Sequence, residues 1–95
     1  MLFENEHFGK PISVQLSEYL KANISKNDLA DVATKTDVSI STVRDVMYRN
    51  NGLTENNSTA IVELVKIAIA NCHNMIGETR RAKSFLEKLI EKAEA

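Results

Sequence analysis

A chain of 95 residues makes one small domain with one modest core. With 43% apolar residues, three Gly, one Pro and a good supply of Ala, Leu, Lys and Glu, it reads as globular and all-α, and its single cysteine, Cys72, excludes a disulfide-stapled scaffold. Net charge is −1 and no third of the chain departs from neutrality by more than one unit, which excludes a strongly basic arm.

The opening "MLFENEH" is acidic and does not fit a signal peptide, and His7 lies in a tail expected to fray, with no nearby residue to make it a ligand or a base. In "PISVQLSEYLKANI" Pro11 suits a first helical position, and Ile12, Leu16, Tyr19 and Leu20 fall on one face; a helix over 11–23 is expected, although the alternation in "ISVQL" also fits a short strand. Asp28 is placed to cap "LADVATKT", with Asp31 in the first turn where a negative charge suits the helix dipole. Ser39 is placed to cap "ISTVRDVMYRN", whose Val43, Val46 and Met47 share a face, and "NNG" at Asn50 to Gly52 supplies residues that tolerate a left-handed backbone at its end. Thr54 opens a further helix, and its apolar pattern runs on towards the C-terminus with a possible break at "NCHNMIG". The run "AIVELVKIAIA" carries Glu63 and Lys66 and falls short of the ~20 residues of a bilayer span, so a soluble cytoplasmic protein is expected.

The restrictive segment is "DVATKTDVSISTVRDVM", Asp31 to Met47. A helix-turn-helix needs a small residue where two helices cross, a turn residue able to take a left-handed conformation, and apolar residues of the second helix that pack back on the first. Ala33, Asp37 and the set Val38, Val43 and Val46 fill these places in order. The arrangement projects the N-terminal, outer side chains of the second helix towards base edges in a DNA major groove. Those are Ile40, Ser41, Thr42, Arg44 and Asp45, with Tyr48 and Arg49 farther along. Tyr48 is the better fit to a packing role at the helix end.

These residues resemble the DNA-binding headpiece of the lac-repressor family, whose pattern is roughly L-x-D-V-A-x-x-x-G-V-S-x-x-T-V-S-R-V. The likeness covers about Asp28 to Ala70, and Leu29, Asp31, Val32, Ala33, Val38, Ser39, Thr42, Val43 and Val46 all fit it. The resemblance implies that Ile40, Ser41 and Asp45 face base edges, and that Ser39, Thr42 and the next helix near Asn56 meet phosphates. Three departures stand beside it. Asp37 replaces Gly, an exchange that the left-handed region tolerates. Arg44 and Asp45 replace Ser and Arg, which moves the basic group by one position; Asp can accept from cytosine N4 but repels phosphate. Helical sequence stands where the family has its effector-binding domain, so no small-molecule effector is implied.

Towards the C-terminus, Ile61, Val65, Ala68, Cys72, Met75, Thr79, Ala82, Leu86, Leu89 and Ala93 follow spacings of four and three, the seam of two helices packed along their length. One domain is therefore expected, with a headpiece over 11–73 and a helix over 74–95 for dimerisation. The alternative is that this helix folds back and buries Phe85, Leu86 and Leu89 on the N-terminal helix. Nothing points to catalysis or to a cofactor: Cys72–His73 is the only local nucleophile–His pair, at a spacing where helical side chains diverge rather than meet on a metal, and there is no Gly-rich phosphate loop. The expected function is a sequence-specific, homodimeric duplex-DNA-binding transcriptional regulator of a bacterium, phage or mobile element, with Ser39, Ile40, Ser41, Thr42, Arg44, Asp45, Arg49 and Asn56 at the DNA. The alternative, favoured by the neutral headpiece and Asp45, is a protein-interaction or assembly module on the same scaffold.

Overall fold

The computed structural model describes residues 2–94. Its order is a short 3-10 turn at Asn5–His7, then α1 (Val14–Asn23), α2 (Lys26–Thr36), α3 (Ile40–Met47) and α4 (Glu55–Glu94). Helices α1, α2 and α3 gather round the first third of α4, so the protein is all-α. Val32, Val43, Val46, Leu20, Ile61 and Leu64 are at most 2% exposed and form the centre of the core. Lys35 of α2 and Lys66 both bond Glu63 of α4, at 3.0 and 3.3 Å, and these pairs hold the Glu63 carboxyl below its ordinary value.

Each helix start has a local cause. Ser13 caps α1 by accepting from the Leu16 N–H, so the helix begins beyond Pro11, and the strand alternative for "ISVQL" is overturned. Its inner face differs from expectation: Tyr19 is exposed, while Ser17 is buried and its hydroxyl donates to the Met47 carbonyl at 2.6 Å. The cap of α2 is Ser25 rather than Asp28. Asp28 stands three residues on and completes a reciprocal box, its N–H donating to Ser25 Oγ (3.1 Å) and its carboxylate accepting from the Ser25 N–H (2.9 Å). That backbone bond is the main cause of a lowered Asp28 pKa.

At the end of α3 the left-handed residue is Arg49 (φ 65°), ahead of "NNG". Two backbone N–H groups, of Asn50 and Asn51, then converge on the Asp45 carbonyl, which takes the chain round without a left-handed Asn. Gly52 serves a different need: a Cβ there would lie 2.9 Å from the Gly9 carbonyl carbon, because the two segments run side by side. Gly9 N–H donates to the Leu53 carbonyl and Leu53 N–H to the Lys10 carbonyl. The N-terminal segment is therefore pinned, contrary to the expected fraying: Phe3 is buried, and His7 Nδ1 accepts from the Glu4 N–H while its ring meets Phe3 edge-on at 6.0 Å.

Thr54 and Asn57 form the box that opens α4: Thr54 N–H donates to Asn57 Oδ1 and Asn57 N–H to Thr54 Oγ1. From there α4 is one unbroken helix of 40 residues, with no break at "NCHNMIG". By length and composition alone it is apolar enough to cross a membrane, yet its apolar stretch carries Glu63 and Lys66 and supplies core residues such as Ile61 and Leu64. The last hydrogen bonds from α4 to the headpiece among the described residues come from Asn71, whose amide donates to the Asn23 carbonyl (2.8 Å) and to Asp28 (3.1 Å). Beyond it the helix leaves the core and does not fold back: Phe85, Leu86 and Leu89 are all about half-exposed or more. The molecule is accordingly 62 Å long with a radius of gyration of 18.0 Å, against about 12 Å for a compact domain of this length.

Candidate nucleic-acid interface

Three residues, Asp37 to Ser39, join α2 to α3. Asp37 adopts φ 57°, ψ 36°, the left-handed conformation that the turn requires, and its N–H donates to the Ala33 carbonyl. Val38 is buried beyond it and, with Val43, Val46 and Met47, fixes the inner face of α3. The opposite face is consequently presented outward.

On that face the hydroxyls of Ser39, Ser41 and Thr42 form one cluster at the start of α3. Ser39 Oγ accepts from the Thr42 N–H (3.2 Å), donates to Thr42 Oγ1 (2.7 Å) and lies 3.4 Å from Ser41 Oγ. Ile40 is 41% exposed beside a shallow hollow of about 620 Å³ that opens between α2 and the turn, bordered by Ala30, Ala33 and Thr34. Arg44, one turn along, is exposed and has no side-chain partner among the described residues; Asp45 is half-buried.

Arg49 and Asn56 stand apart from this group. Arg49 Nε donates to the Ile12 carbonyl at 2.7 Å, which ties the end of α3 to the segment before α1 and commits one N–H of the guanidinium. Asn56 is exposed in the first turn of α4, and its carbonyl accepts from Thr59. No contact joins it to α3 among the described residues.

Comparison of the chain with protein-family models, with curated proteins and with solved structures found no match. The site is therefore read from its own geometry. Lys21 is the basic residue that sequence reasoning left out: its ammonium lies 5.5 Å from the centre of the Tyr48 ring, at the far end of α3, while also pairing with Glu18 at 3.2 Å. Nothing in the sequence signals this, since Lys21 and Tyr48 are brought together only by the packing of α1 on α3. Tyr48 itself is half-exposed and offers its ring to Lys21 rather than sealing the loop. No group of three or more His, Cys, Asp or Glu suited to a metal occurs among the described residues.

Proposed function

We propose that this protein is a sequence-specific duplex-DNA-binding regulator of transcription that works as a cytoplasmic homodimer through its helix-turn-helix. The observation that carries the reading is the outward face of α3: Ile40, Ser41 and Arg44 are exposed on a short helix whose other face is locked to α2 across the left-handed Asp37. The likeness of "LADVATKTDVSISTVRDVM" to the lac-repressor headpiece supports the same assignment. Ile40, Ser41 and Asp45 read base edges, Arg44 reaches a base or a phosphate, and the hydroxyls of Ser39 and Thr42, with Asn56 and the outer nitrogens of Arg49, meet phosphates. A dimer doubles these contacts, which a nearly neutral headpiece requires.

One observation favours a second reading, a protein-interaction module on the same scaffold: Lys35 is paired with Glu63 and Arg49 with Ile12, which leaves Arg44 as the uncommitted cation of α3 and its flanks among the described residues. Selection of bound sequences from a random duplex pool separates the two. DNA reading predicts an enriched motif, binding that weakens as salt rises, and a loss of about 1–3 kcal/mol of discrimination in Arg44→Ala if that side chain reads a base. A pool that enriches nothing, with Arg44→Ala unchanged, supports the interaction module instead.

A further inference from the structure

From about Gly77 onward α4 is a rod that neither the core nor the headpiece covers. Met75, Ile76, Phe85, Leu86, Leu89 and Ile90, along and just before it, are 49–63% exposed. An apolar strip on a free helix marks a surface made to be covered. Nearer the headpiece the same face is already taken: Ile61 and Ala68 are buried, and Cys72, His73 and Ile76 border a groove against α1. A second chain whose α4 ran parallel would bring its headpiece into the space of the first. One whose α4 runs the opposite way carries its headpiece to the far end.

We propose that a second copy of this chain covers the strip, with its α4 antiparallel and the two helices meeting at the level of Ser84. Thr79, Leu86 and Ala93 occupy the first position of successive heptads, and Met75, Ala82 and Leu89 the fourth. Between opposed helices first positions face fourth ones, so Thr79 meets Leu89 of the second copy, Leu86 its Ala82 and Ala93 its Met75. Each layer sets a large side chain on a small one, which lets the two helices interdigitate closely. On the flanks Ile76 meets Ile90 and Phe85 meets Phe85, while Glu78 meets Lys92 and Arg80 meets Glu87, each ion pair formed twice by symmetry. Lys83 faces Lys83 at the midpoint, offset by Glu87 of its own chain 3.5 Å away. Sliding the pair one heptad towards the headpieces sets Glu78 beside Phe85 and Lys83 beside Ile76; sliding it away sets Lys83 beside Ile90 and Phe85 beside Lys92. Either shift lays charged groups against apolar chains, which costs desolvation without a partner in return. Met75 to Ala93 gives about 28 Å of contact. Covering both strips removes roughly 1,200 Å² from water, enough for a specific interface.

The inference rests on the homodimer of the proposed function and not on DNA binding. It separates the two headpieces by roughly 65 Å along the rod, near two turns of duplex rather than one. The test is cross-linking of the full chain at micromolar concentration, without DNA, by a short bismaleimide, read by denaturing electrophoresis and peptide mapping. Lys83→Cys in a Cys72→Ser chain should give a dimer joined through position 83 of both copies. The wild type should be modified at Cys72 but not joined, because the two Cys72 side chains lie about 36 Å apart along the rod. Glu78→Lys should weaken dimerisation roughly fivefold or more, and Glu78→Lys with Lys92→Glu should restore it. Wild type joined through Cys72, or a dimer by light scattering that position 83 does not join, overturns the arrangement while the homodimer stands. A folded chain that scatters light as a monomer overturns both. Loss of DNA binding with the cross-link intact counts only against the reading of bases by α3.

Discussion

Two aspartates show how a single side chain is fitted to its backbone. Asp37 sits in the left-handed region, which costs an ordinary L-residue about 1–2 kcal/mol. Asp37→Gly should therefore be neutral or stabilising by up to about 1 kcal/mol in urea unfolding, and Asp37→Val destabilising by about 1–2 kcal/mol. Asp28 and Glu63 have ordinary pKa values of 3.8 and 4.5, both lowered in the folded chain, Asp28 chiefly by the Ser25 N–H and Glu63 chiefly by Lys35. The unfolded chain therefore takes up protons first on acidification. The stability these groups give is complete above their ordinary values and is lost as pH falls through the folded ones. Asp28→Asn with Glu63→Gln should flatten the fall in Tm between about pH 5 and 3, measured by circular dichroism.

At the scale of elements, the short helices depend on specific attachments. With eight residues, α3 is too short to persist alone. Its start depends on the Ser39 cap and its end on Ser17, which is the hydrogen-bond partner of the Met47 carbonyl. Ser39→Ala should cost about 1 kcal/mol, and Ser17→Ala about 1–3 kcal/mol because a buried carbonyl loses its donor. The second variant reports the docking of α1 on α3, so it should also raise the mobility of Arg44 and lower DNA affinity. The loop from Tyr48 to Leu53 belongs to the same scale. Gly52→Ala forces a Cβ to within 2.9 Å of the Gly9 carbonyl carbon, a backbone atom that cannot swing away. A loss of about 1–3 kcal/mol in thermal unfolding is expected.

For the whole molecule, stability is unevenly spread along α4. Residues near Ile61 and Leu64 are held in the core, whereas those past about Gly77 have neither core nor headpiece against them. Hydrogen exchange should find amides around Leu64 protected to the level of global unfolding at every concentration. Those from Arg81 onward should be protected only as the protein concentration rises into the range of dimerisation. Uniform protection along α4 in a monomer would contradict this.

The sequence by itself determined the helical class, the Asp37 turn, the Ser39 cap and the inward set Val38, Val43, Val46 and Met47, because each follows from contacts within a few residues or from the periodicity of one helix. It also marked the strip from Cys72 to Leu89, since a four-three spacing is a property of the chain alone. What it could not supply were choices between equivalent local solutions. Ser25 and Asp28 are both capping residues, and the box that uses both depends on where α1 ends. Asn50, Asn51 and Gly52 all tolerate a left-handed backbone, yet the packing of α3 puts that conformation at Arg49, where the side chain reaches Ile12. Ser17, Lys21 and the pinned segment from Phe3 to Lys10 owe their roles to neighbours 27 to 44 residues away in the chain. Only tertiary structure brings Met47, Tyr48 and Leu53 to them, because no local energy term records which distant segments will meet.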